Sequence, residues 1–168
     1  MTTTEKIATS ERADLLDTLN SRRQFLRRAV ANLTDEQAAA RPTVSALSLG
    51  GLIKHVTVTE ARWMTFAVGG AEAMQREPID WVGQFTMAPG ETLTGLLDAY
   101  AEVAARTAEL VATLDLDASF ELPKAPWFEP GARWSVRKVL HHIATETAHH
   151  AGHADIIRET IDGQKTMG

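Results

Sequence analysis

Cysteine is absent from all 168 residues. Its absence rules out disulfides, thiolate metal sites and cysteine nucleophiles, and it fits a reducing compartment. No apolar run approaches the roughly 18 residues that a bilayer span requires. The opening MTTTEKIATSERADLL also lacks the apolar core of a signal peptide, so the cytoplasm is the expected location. Positive charge is not concentrated anywhere. Lys and Arg number 17 against 22 Asp and Glu, for a formal net charge of −5 and a pI near 5.7. The basic residues are scattered among acids, whereas a phosphate-backbone binder concentrates them on one face; nucleic acid is not an expected partner. Internal repeats, low-complexity tracts and alternating β-branched runs are missing as well.

What is present is a globular balance, with 44% apolar and 23% charged residues. The length suits a single domain over residues 1–168, burying roughly two thirds of its unfolded surface. Leu15, Leu19, Leu26, Val30 and Leu33 recur at three-, four- and seven-residue steps, one face of a helix. Thr34 and Gln37 have capping-box spacing for a further turn, which Pro42 stops. A second stripe, Leu49, Leu52, Val56, Thr59, Trp63 and Phe66, follows Ser48 as N-cap and is expected to end at Gly69–Gly70. Gly50 and Gly51 weaken its first turn by up to about 1 kcal/mol each relative to alanine, a pair that leaves room for something to approach that backbone closely.

Residues 69–90, with two prolines and four glycines, read as a crossover between helices that are not antiparallel neighbours. A third stripe runs from Leu93 through Tyr100 and Thr107 to Leu114. After a second proline-rich loop, Ser135 caps a last helix that Gly163 ends. The pattern predicts an all-α four-helix bundle, with helices at about 10–33, 48–68, 91–114 and 135–162 and a long crossover between the second and third.

The last helix holds five of the six histidines, His141, His142, His149, His150 and His153, together with Glu146. At about 100° per residue, Val136, Val139, Leu140, Ile143, Thr147, Ala154, Ile157 and Ile161 define the core face, and His150 falls near its middle. Glu146 lies on the edge of that face, about 70° from its centre, and His142 and His153 lie further out. His141 and His149 point to solvent. His55 occupies the corresponding edge of the second helix. Glu146 and His150, at i and i+4, can converge on one point, as two zinc ligands do in HExxH helices. With His55 they make a candidate metal site between helices; His150 and His153, at i and i+3, could supply the pair instead. An interior histidine that is merely hydrogen-bonded in the core is the competing reading. Of the four tryptophans, Trp63 sits at helical spacing, whereas Trp81 and Trp127 lie in loops where they could cover the mouth of the bundle.

The segments LSLGGLIKHVTVTEARW and WSVRKVLHHIATETAHHAGHADIIRETIDG, with the four-helix order, resemble the DinB-like (DinB/YfiT-type) metal-binding superfamily. The nearest likeness is to its mini-circle-protein-like branch, and a more distant one is to mycothiol-dependent maleylpyruvate isomerase. The resemblance implies an up-down-down-up bundle, often paired as a homodimer. It also implies a metal held by a His of the second helix and two residues four apart on the last. His55 and His150 match the first and last of these. Glu146 stands where H-x-x-x-H members carry His, and His153 becomes an alternative or outer ligand. The implied activity is a divalent-metal-dependent transferase or isomerase, with zinc or nickel as the metal and mycothiol or another small thiol as cosubstrate. The alternative is a non-catalytic metal- or ligand-binding bundle.

Overall fold

Helix propensity and apolar spacing act together over most of the chain, and the computed structural model, which describes residues 3–166, is accordingly helical. The long helices are α1 (Thr3–Ala29), α3 (Leu49–Gln75), α4 (Leu93–Thr113) and α5 (Val136–Asp162), and a short α2 (Asp35–Ala39) lies between the first two. α1 starts seven residues before the expected position, because residues 3–9 contain no Pro or Gly to stop the helix propagating backwards. It ends early, in a turn where Asn32 takes φ +61°, a conformation that asparagine tolerates. Thr34 and Gln37 form both halves of the capping box of α2, at 3.2 and 3.0 Å.

The expected stop at Gly69–Gly70 is a kink and not an end. Gly70 leaves helical geometry at φ +71°, yet α3 resumes through AEAMQ to Gln75. A Cβ at Gly70 would lie 2.9 Å from the ring of Phe120, so the glycine serves both the turn and the packing. Ser48, Thr92 and Ser135 cap α3, α4 and α5 by accepting from Gly51, Gly95 and Lys138 amides. Gly163 closes α5 at φ +75°. One feature of the loops had no sequence signal. Three-residue strands β1 (Ser119–Glu121) and β2 (Arg133–Ser135) pair antiparallel, with Phe120 opposite Trp134.

Side-chain ties fix the helix directions. Arg12 reaches the Val111 carbonyl and Arg27 the Leu97 carbonyl, so α1 and α4 are antiparallel. Glu11 pairs with Arg137, and Arg158 donates to the Ala29 carbonyl, so α1 and α5 are parallel. Lys54 pairs with Glu91, and Thr107 donates to Glu60, so α3 and α4 are parallel. The order is up-down-down-up, with residues 76–92 crossing between the two parallel helices. Among the described residues no helix is long and apolar enough to cross a membrane.

The core divides into two apolar clusters. One gathers Leu15, Leu19, Met64, Val111, Val139 and Ile143; the other gathers Leu26, Leu52, Val56, Leu96, Tyr100 and Ile157. Between them lies a polar layer that periodicity did not reveal. Arg23 of α1 forks onto both carboxylate oxygens of Glu60 of α3, and Thr107 donates to the same carboxylate at 2.6 Å. Glu60 is 0% exposed. Two hydrogen-bonded charges in this setting offset their desolvation only as a pair, so truncating one is costly, while apolar replacement of both is not. Tyr100 Oη, in the same layer, finds no hydrogen-bond partner among the described residues. Burial, and after it the charge of Glu60, pushes its ionisation well above the ordinary phenol range.

This arrangement predicts that Glu60→Ala lowers the unfolding free energy by about 3–5 kcal/mol, whereas Arg23→Met with Glu60→Leu restores most of the loss. Urea denaturation measures both. A loss below about 1 kcal/mol for Glu60→Ala would show that the pair is solvated and not part of the core.

Candidate metal centre

The geometry of the site begins with two glycines. At the first turn of α3 the crossover segment lies directly on the helix backbone: a Cβ at Gly51 would fall 1.9 Å from the Phe85 carbonyl oxygen, and one at Gly50 would meet Met87. The close approach expected from the glycine pair is therefore made by the turn of 3₁₀ helix at Gly83–Phe85 and the residues just after it. That docking brings Gln84 and Phe85 against His55, one turn further along α3. Phe85 stacks on the imidazole with centroids 4.0 Å apart and planes 21° apart.

Gln84 is buried, and its Oε1 lies 3.0 Å from His55 Nδ1. The Gln84 amide donates through Nε2 to the Trp81 carbonyl at 3.4 Å, which orients Oε1 towards the ring. Nδ1–H of His55 is then the donor, and Nε2 carries the free lone pair. It points at α5. Glu146 Oε2 is 3.9 Å from His55 Nε2 and 3.7 Å from His150 Nε2. One donor atom from each of the three residues lies within 4.8 Å of the other two. The imidazoles of His55 and His150 meet edge to face, with centroids 4.6 Å apart.

These spacings are too long for hydrogen bonds and nearly right for ligands around an ion. Zinc bonds of about 2.0–2.2 Å put neighbouring ligand atoms about 3.3–3.6 Å apart in a tetrahedron. A contraction of a few tenths of an ångström brings the two carboxylate–imidazole spacings into that range, and the third donor pair lies within 4.8 Å. Two neutral imidazoles and one carboxylate also form a donor set suited to a borderline divalent ion.

Electrostatics favour the proton-free forms of His150 and Glu146. Burial, reinforced by the neighbouring His55, pushes His150 down from its ordinary value near 6.5 to about 4, against the pull of Glu146. Interaction with the His55 ring holds the Glu146 carboxyl below the ordinary carboxylate range, despite partial burial.

The other histidines have separate places. His153 presents Nδ1 to Nδ1 of His150 at 3.4 Å, on the side of that ring away from Glu146, and it does not join the three converging donors. His141 and His149 are exposed, as their helical phase implies. His142, one turn before Glu146, packs edge-on against Trp63 and Trp134, and burial holds it below its ordinary value. Gln84 and Phe85 went unnoticed in the sequence, because a crossover without periodicity gives no phase by which to aim a side chain. The only hint was the glycine pair opposite them.

His55, Glu146, Gln84 and His142 all border a cavity of about 620 Å³, within the size range of small-molecule sites. Its far walls are aromatic, with Trp63, Trp81, Trp127 and Phe128 among them. Trp63 packs against the core and lines this cavity as well. Trp81 and Trp127 line it too and are largely exposed.

A family model described as Mycothiol-S-transferase matches residues 14–163 of the chain. Among solved structures the chain is similar to a conserved protein from Enterococcus faecalis, with 17% sequence identity and a TM-score of 0.65 over 98% of this chain and 99% of that one. At that identity the likeness speaks for the fold. No curated protein matches.

The depressed His150 makes a prediction for the metal-free protein. The folded state disfavours the imidazolium, so the stabilising contribution is complete above the unfolded value near 6.5 and is lost as pH falls towards about 4. In chelator-treated protein, the melting temperature of wild type should fall more steeply between pH 6.5 and 4.5 than that of His150→Leu. Parallel curves would place His150 in solvent.

Proposed function

The chain belongs to the mycothiol-S-transferase family, a DinB-like fold family, and on that footing we propose that it is a divalent-metal-dependent S-transferase. In this proposal His55, Glu146 and His150 are the protein ligands, zinc or nickel is the metal, and mycothiol or a related small thiol is the sulfur donor. One observation carries the reading: two of the three converging donors border a cavity large enough for a substrate. Three protein ligands with an open fourth position facing such a cavity is the pattern of a catalytic site, whereas structural zinc sites are closed by four. The non-catalytic alternative lacks a fourth protein ligand among the described residues.

When bound, the metal lowers the pKa of a coordinated thiol so that thiolate is present at neutral pH. The chain has no cysteine, so the sulfur comes from the cosubstrate. In the transfer the thiol loses its proton to solvent, and its sulfur electron pair forms a bond to an electrophilic carbon. The leaving group departs with the pair of the bond that breaks. Gln84 holds the His55 tautomer that leaves Nε2 free, Phe85 fixes the plane of that ring, and the aromatic walls exclude water from the reacting atoms. The whole chain acts as one domain in this account, in the cytoplasm and paired with a second copy. Sedimentation at micromolar concentration that returned only the 18.3 kDa chain would count against the pairing.

The direct test is thioether formation from mycothiol and 1-chloro-2,4-dinitrobenzene, followed by mass spectrometry and chloride release. Zinc- or nickel-loaded protein should catalyse it, and chelator-treated protein should not; equal rates would exclude metal dependence. Zinc competition against a chromophoric chelator tests the ligands. His150→Ala should lose more than about 100-fold in affinity, Gln84→Leu roughly 10–100-fold as an outer-shell partner, and His149→Ala nearly nothing. Equal losses at positions 149 and 150 would refute the assigned site.

A further inference from the structure

The cavity holds more than the three donors use. A continuous aromatic wall runs away from them: His142 packs on Trp63 at 4.7 Å between centroids, Trp63 on Phe128 at 6.5 Å, Phe128 on Trp127 at 6.2 Å, and Trp127 on Trp81 at 6.3 Å. Trp81 and Trp127 meet at 76° and remain 62% and 66% exposed respectively. Two indoles left this open beside a cavity hold a large apolar surface in water that the fold itself does not cover. They come from different loops, the crossover and the segment between the two short strands, so neither is placed by its neighbours in sequence.

Charge on the wall is one-sided. Arg62 and Lys124 border the cavity, and Glu146, already assigned to the metal, is the only acid among the lining residues. Arg62 donates through Nη1 to the Glu77 carbonyl at 2.7 Å, which anchors the guanidinium at the wall and leaves its other donors available. Fixed hydrogen-bonding groups are otherwise sparse along the aromatic part. A sugar-bearing thiol needs many such partners for its hydroxyls. A flat, conjugated molecule needs ring faces.

We propose that this aromatic wall is the subsite for the second substrate, the electrophilic acceptor, and that it selects flat aromatic or conjugated acceptors, anionic ones above cationic ones. Trp81 and Trp127 set this specificity through ring contact, and Arg62 and Lys124 set the preference of charge. The assignment of the occupant as acceptor rests on the S-transferase reading; the binding preference itself does not depend on a metal.

The test uses 2-naphthalenesulfonate, 2-(aminomethyl)naphthalene and glucosamine as probes of the full chain, titrated calorimetrically with and without chelator. A sulfonate is a poor metal ligand, so its binding reports the wall. The naphthalenesulfonate should bind in both conditions, more tightly than the amine, and glucosamine should not compete with it. Trp127→Ala and Trp81→Ala should each weaken it roughly three- to tenfold, the scale of one aromatic contact. Trp127→Phe should recover part of that loss, and Lys124→Gln should narrow the gap between sulfonate and amine. Both tryptophans are exposed, so zinc affinity measured on the same variants should match wild type and report intact folding. Unchanged sulfonate affinity in both alanine variants, equal binding of the amine, or displacement by glucosamine would each overturn the proposal. A protein that bound no zinc but kept the sulfonate preference would refute the metal reading alone and leave the subsite standing.

Discussion

A single backbone contact positions the site. Gly51 lies so close to the Phe85 carbonyl that no side chain fits between them, and the crossover is pinned to the start of α3 as a result. From that contact follow the stacking of Phe85 on His55, the hydrogen bond from the ring to Gln84, and the direction of the free Nε2. The cost is two glycines in the first turn of a helix, which Ser48 partly offsets by capping the Gly51 amide. Helix propensity is given up where close approach of two backbones is needed.

The bundle supports this contact with a division of labour along its axis. The two apolar clusters hold the four helices together, and the Arg23–Glu60–Thr107 layer between them ties α1, α3 and α4 at one level. A buried charge pair adds little net stability compared with apolar packing, but it tolerates few alternative registers. His55 and His150 lie near this layer, on the face shared by α3 and α5. A sliding of α3 along α5 by one turn would move His55 by about 5.4 Å, enough to separate the donors. Helix register is thus a requirement of the site as much as of the core.

Much of this was legible in the sequence, and unevenly so. The four long helices and their caps at Ser48 and Ser135 follow from periodicity and polar punctuation. So does the phase of α5 that turns His150 inward and His149 outward, because 100° per residue leaves little freedom. The kink at Gly70 was misread as a stop, since a glycine pair signals an end equally well when the residues after it are poor helix formers, and here they are not. Arg23 and Glu60 were invisible because each is an ordinary helix-surface residue until its partner, 37 positions away, is placed opposite. Gln84, Phe85 and the short strands lie in aperiodic segments, where position is decided by tertiary contact. The aromatic wall shares that character: Trp63, Trp81 and Trp127 stand out in the sequence as bulky residues, but their order along the wall does not.

The central claim is that His55, Glu146 and His150 jointly hold one divalent ion at a position open to the cavity. X-ray absorption at the metal edge of protein purified without a polyhistidine tag and loaded with zinc tests it most directly. The account predicts one ion per chain with two imidazole nitrogens and oxygen ligands at about 2.0–2.2 Å, and a light scatterer replaced by sulfur at about 2.3 Å when a small thiol is added. A spectrum with no imidazole scattering, or one unchanged by the thiol, would contradict it.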